Sequence, residues 1–139
     1  IRKKEKSNVQ KPILSPEQEV RVKKLRLLVS QEQFKNELLQ LVEYAKFEFK
    51  QGDRTVKDIK KEVMDRAKEI INKYVVDTYL YGKLDAVYSR GIKKGESVQV
   101  DLSLKKEDLE PIAKLKKKFV RDFRKIINDM IKAKERGEL

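Results

Sequence analysis

The chain has 139 residues, a formal net charge of +12, 39% apolar and 42% charged residues, five Gly, three Pro, and neither Cys nor His. Without Cys or His it can build no disulfide, thiolate nucleophile, Cys/His zinc site or imidazole-based triad, and a chain so poor in helix breakers points to long helices rather than a sheet. No apolar run nears the ~18–20 residues that span a bilayer, and the opening Ile1-Arg2-Lys3-Lys4 lacks the apolar stretch of a signal peptide, so no membrane contact is expected.

Cysteine avoidance with abundant Lys, Glu, Arg and Ile is also a composition of hyperthermophile proteins, which suggests a thermophile source. Ile at position 1 fits a chain that is trimmed or begins inside a longer protein. The positive charge is localised. Residues 111–136 carry ten Lys/Arg against three acids and residues 1–11 carry five against one, while the segments between are close to balanced. A basic arm plus a basic helix is the electrostatic footprint of a protein that meets a polyanion, because each Lys or Arg laid on a phosphate releases a condensed counterion.

In chain order, residues 1–14 show no periodicity and read as a disordered basic arm carrying Arg2, Lys3 and Lys4. Residues 15–139 read as one helical-bundle domain. Ser15, Pro16 and Gln18 form an N-cap, a first-turn proline and a capping-box partner, so a helix starts there. Val22, Leu25 and Val29 recur at helical spacing. Ser30 with Gln33 offers a second cap and predicts a bend before the next apolar face, Phe34, Leu38, Leu41, Ala45 and Phe49, which Gly52 ends.

Thr55 with Asp58 opens a long helix whose stripe runs Val56, Ile59, Val63, Ala67, Ile70, Tyr74, Tyr81, Leu84 and Tyr88. Gly82 interrupts it and predicts a close helix crossing or a mild bend, and Gly91 is a C-cap. Between 92 and 104 the period changes: Val98, Val100, Leu102 and Leu104 alternate with Gln99, Asp101 and Ser103. An extended connector pressed into the bundle is the preferred reading, a strand pairing with another chain the alternative. From about Lys105 a last helix follows, with Pro111 in its first turn or at a kink, the stripe Ile112, Leu115, Phe119, Phe123, Ile126 and Met130, and Gly137 at its end.

At about 100° per residue, Lys114, Lys118, Arg121, Lys125 and Lys132 fall together on the side of this helix opposite the stripe, flanked by Lys117 and Arg124. These seven, with Arg2, Lys3 and Lys4, are the candidate nucleic-acid contacts, directed at the phosphate backbone without base preference, since no cluster of Asn, Gln and Arg is arranged for groove readout. The alternatives are a Lys-rich solvated exterior and an acidic protein partner.

Tyr74, Tyr81 and Tyr88 share the apolar stripe, which favours packing over base stacking, each hydroxyl reaching a polar edge. Glu62, Asp65 and Glu69 sit among Lys61, Arg66 and Lys68 and read as surface ion pairs; no metal, cofactor or catalytic residue is assigned. A second apolar shoulder, Met64, Ile71, Val75 and Val76, offers more apolar face than one small bundle readily covers. It predicts a homo-oligomer, a dimer through this helix at Ile71, Val75, Tyr81 and Gly82, with a folded-back first helix as the competing cover.

The segment Tyr79-Leu80-Tyr81-Gly82-Lys83-Leu84-Asp85-Ala86-Val87-Tyr88-Ser89-Arg90-Gly91, a loop, Lys106-Glu107-Asp108-Leu109, and a long helix running to Ala133-Lys134-Glu135-Arg136-Gly137 resembles the helical N-terminal part of head-morphogenesis (minor capsid) proteins of tailed phages. The resemblance implies a virion-assembly protein working beside the portal and the packaged genome. The sequence as a whole reads as an all-α bundle of about four helices without enzyme activity. Its expected role is that of a viral or proviral structural or assembly protein acting through helix-mediated contacts with other virion or assembly proteins next to nucleic acid, in the host cytoplasm or the virion. A nucleic-acid-binding module using the arm and the last helix is the alternative.

Overall fold

The computed structural model describes residues 16–91 and 103–139, and the described part is all-helical. Three long helices and one short turn make it up: α1 (Pro16–Gln51), α2 (Val56–Gly91), a 3-10 turn (Lys106–Asp108) and α3 (Leu109–Glu135). The expected arm at 1–14 and residues 92–102 of the expected connector lie outside the described residues.

The helix ends follow local chemistry. Gly52 stops α1 in the left-handed region at φ +71, where only a residue without Cβ sits free of strain. Thr55 caps α2, its Oγ1 accepting the Asp58 amide at 3.1 Å. Gly137, at φ +72, closes α3 in a Schellman motif: the Glu138 amide reaches the Ala133 carbonyl at 2.8 Å and the Gly137 amide reaches Lys134 at 3.0 Å.

α1 and α2 form an antiparallel hairpin, and α3 returns along it, chiefly against α2. In the lower part all three helices share a core: Leu41, Ala45 and Phe49 of α1, Ile59, Val63, Met64 and Ala67 of α2, and Phe123 and Ile127 of α3. Higher up, one aromatic ring from each helix meets the others. Phe34 stacks on Tyr74 with centroids 5.4 Å apart and meets Phe119 edge-on at 5.3 Å.

No break interrupts α1 at Ser30, and two of the expected helices are one. The reason is the seam: Leu27, Phe34 and Leu41 are buried at seven-residue steps along α1, so the helix must stay continuous to keep them on α2. The Ser30 hydroxyl, instead of capping, donates to Asp77 of α2 at 2.7 Å. Val22, Leu25 and Val29, expected to face the core, are at least half exposed. The two hairpin helices of 36 residues are each about 54 Å long, whereas α3, with 27 residues, reaches only about 40 Å. Among the described residues the hairpin therefore continues above the level of Tyr79 as a two-helix stem, with the small core Leu27, Leu80 and Leu84 tied by Lys24 to Asp85 at 2.7 Å.

Gly82 lies exposed in an uninterrupted α2, and nothing stands within 4 Å of where its Cβ would be, so no close crossing occurs there among the described residues. On α3 the stripe also rotates. Ile127 is fully buried, Ile126 is 44% exposed, and the core face centres on Phe123 and Ile127. Substitution reads this face directly: Phe123→Ala should cost about 3–5 kcal/mol and Ile127→Ala about 2–5, whereas Ile126→Ala should cost under about 1. Urea denaturation of the three variants measures this, and equal losses at 126 and 127 would contradict the orientation of α3.

Candidate nucleic-acid interface

The position of α3 is set at its start by Asp108, the one buried charged side chain among the described residues. Its carboxylate accepts the Tyr79 hydroxyl at 2.6 Å and the Lys105 amide at 2.9 Å, with the Lys83 ammonium 3.6 Å away. Two hydrogen-bond donors and a nearby ammonium hold an anion that burial alone would disfavour. The Tyr79 hydroxyl above all, then the Lys105 amide, keeps the Asp108 carboxyl below the ordinary carboxylate range, and the same bond pushes the Tyr79 hydroxyl up. At the other end, Lys134 donates to the Phe49 carbonyl at 2.5 Å, satisfying an acceptor in the last turn of α1.

Anchored at both ends and packed along Phe119, Phe123 and Ile127, α3 turns one side outward. Lys114, Lys117, Lys118, Arg121, Arg124, Lys125 and Lys132 are all exposed, while Lys116 and Lys134, on the core-facing side, are half-buried. Pro111 sits in the first turn, where its missing amide costs no helical bond. From Lys114 to Lys132 the row extends about 27 Å, most of the ~34 Å of one duplex turn.

Ion pairing on this face is sparse. Lys114 reaches Glu110 at 3.2 Å, and Asp122 is shared by Lys118 at 3.3 Å and Arg121 at 4.0 Å. These are exposed neighbours on one helix, pairs of the kind worth about 0.3–0.5 kcal/mol, which a phosphate displaces readily. Lys117, Arg124, Lys125 and Lys132 make no ion pair with any described residue. Arg2, Lys3 and Lys4 lie outside the described residues, so the structure does not bring them to this face.

Of the acids expected in surface ion pairs, Glu62 is engaged, whereas Asp65 and Glu69 pair with no described residue. Glu62 accepts Arg54 at 2.6 Å, pairs with Arg66 at 2.7 Å and accepts the Tyr44 hydroxyl at 3.0 Å, and the Arg54 guanidinium above all holds its carboxyl low. The Tyr74 hydroxyl donates to Glu37, which raises its pKa, and Lys73 stands 3.6 Å from the same carboxylate. Tyr74 thus packs as a core ring with its hydroxyl at a polar edge. Among the described residues no group of three or more acids is placed to hold a metal ion, and no helix is long and apolar enough to cross a membrane.

The residues expected at a dimer interface are not brought together on a surface. Ile71 is fully buried and Val75 is 4% exposed in the chain's own core, against Phe34 of α1 and α3's Ile112, Leu115 and Phe119. Tyr81 is half-buried beside Leu80, and Gly82 faces outward. The physical reason is that α2 has a neighbour on each side, so its doubled stripe is covered from within. Asp108 itself was not foreseen. The signal for it is an Asp just ahead of Leu109-Glu110-Pro111, a position where a carboxylate commonly satisfies backbone amides.

Comparison with family models, with characterised proteins and with solved structures finds no match to this chain.

Because the folded Asp108 carboxyl titrates below its unfolded value of about 3.9, its stabilisation is complete above that value and is lost as pH falls through the lower folded one. Asp108→Asn should therefore lower the melting temperature at pH 7, and the gap to the wild type should narrow in melts taken below about pH 3. A gap that stays constant from pH 7 to 2 would contradict the anchor.

Proposed function

We propose that this chain is a non-enzymatic helical module that lays the outer face of α3 against a nucleic-acid backbone. The observation that supports it best is the sorting of charge on one helix: seven exposed Lys/Arg look outward, four of them without an ion pair among the described residues, while α1 and α2 are close to charge balance. A chance excess of lysine would be spread over three solvated faces, and here it is concentrated on one. The row is straight, roughly two-thirds of a duplex turn or more in length, and free of a groove-reading cluster, which suits backbone contact without sequence preference.

A role as a viral or proviral assembly protein, which the tailed-phage resemblance implies, gives this contact a setting. A protein beside a packaged genome meets dense phosphate, in the virion or the host cytoplasm, and a basic face held on a rigid helix suits that position.

Charge reversal tests the contact. Wild-type affinity for a short duplex should fall with salt at a log-log slope of about −4, corresponding to four or five engaged phosphates. The quadruple variant Lys114→Glu, Lys118→Glu, Arg121→Glu, Lys125→Glu should lose duplex binding at low salt while keeping its helical circular dichroism. A control reversing Lys35, Lys46, Lys57 and Lys61, exposed on α1 and α2, changes the net charge equally and should retain most of the binding. Equal loss in both variants, or binding indifferent to salt, would overturn the assignment.

A further inference from the structure

The α1–α2 hairpin leaves an apolar face without a cover among the described residues, running from the stem down to the level of Tyr74. Val22, Leu25 and Val29 form a ridge on α1, 55%, 61% and 50% exposed. Beside it an open groove of about 1150 Å³ runs between α1 and α2, floored by Leu27, Tyr74 and Leu80, and no residue of α3 lines it. We propose that this face is a twofold interface, in which the Val22-Leu25-Val29 ridge of one copy seats in the groove of a second copy of this chain.

Three features select a second copy as the occupant. First, ridge and groove adjoin on the same face, so each copy offers what the other lacks, which is the requirement of an isologous contact. The ridge steps by three and then four residues with Val, Leu and Val, the β-branched and Leu alternation that two-stranded helical seams use.

Second, the charges fit. The ionised groups along the groove, Arg26, Glu37, Lys73 and Asp77, cancel in sign, and both carboxylates already have partners in the chain, Asp77 in Ser30 and Glu37 in Tyr74 and Lys73. The face presents no net charge to draw in a phosphate or a charged peptide. Two copies of a chain with net charge +12 meet with least repulsion through a face that excludes the basic row of α3.

Third, the size is right. From Val22 to the Asn36 end the face, with its flanking turns, is about 30 Å long and two helices, about 20 Å, wide. That is on the order of 600 Å² in projection before side-chain relief is counted, near the ~800 Å² of accessible surface each partner gives to a standard interface. Pairing the two hairpins also sets α1 and α2 of one copy against α1 and α2 of the other, a four-helix layer pair that buries such faces between them.

Sedimentation equilibrium in nucleic-acid-free buffer at about 0.3 M salt, where charge repulsion is screened, tests this independently of duplex binding. The wild-type mass should rise with concentration from 16.4 kDa toward twice that value. The triple variant Val22→Asp, Leu25→Asp, Val29→Asp should remain a monomer with an unchanged helical spectrum, since these side chains are already exposed. A wild-type chain that stays at 16.4 kDa at every concentration, as when another part of the chain fills the groove, overturns the proposal. So does a triple variant that dimerises like the wild type.

Discussion

Where α3 sits along α2 is the constraint on which the rest of this structure depends. Asp108 sets it, by drawing the Tyr79 hydroxyl and the Lys105 amide onto one buried carboxylate at the start of α3. The apolar packing that follows is non-directional and would tolerate slippage by a turn; hydrogen bonds to a buried anion would not, because a shifted helix would leave that charge without its donors. From this height the Phe34, Tyr74 and Phe119 rings come into contact, Phe123 and Ile127 reach the hairpin core, and Lys134 arrives at the Phe49 carbonyl.

The same placement divides the molecule by function. Below Tyr79, α3 spends its apolar side on the core and leaves its basic side to solvent, so the helix that completes the fold also presents the charge. Above it, among the described residues, the hairpin goes on without a third helix, and one side of α1 keeps Val22, Leu25 and Val29 exposed. A basic surface and an apolar surface thus lie on different helices and share no residues.

Much of this was legible in the sequence where the signal spans several turns. The face Phe34, Leu41, Ala45 and Phe49, the cap at Thr55, the stops at Gly52 and Gly137, and the separation of the basic row from the apolar side of α3 all follow from periodicity and local chemistry. Other features depend on partners far along the chain. Ser30 and Gln33 make a good local cap, yet the packing of Leu27 on Leu80 and Leu84 keeps α1 continuous, and the hydroxyl finds Asp77 47 residues away. Ile126 and Ile127 cannot be told apart by a stripe that drifts about 20° per heptad. The doubled stripe at Ile71 and Val75 reads as surplus until α3 is seen to lie on its far side. Val22 and Leu25 share with Gln33, Asn36, Gln40 and Phe47 a side of α1 that is exposed even where α3 runs alongside, and helical spacing alone does not show that the core lies on another side.

The most direct test of this account is an amide-resolved NMR titration of the isotope-labelled chain with a short duplex at low salt. The account predicts that shifts cluster on the outer face of α3, at Lys114, Lys118, Arg121, Lys125 and Lys132, and fade as salt is added, while Val22, Leu25 and Val29 on the stem stay still. Shifts concentrated on α1 and α2, or none at low salt, would contradict it.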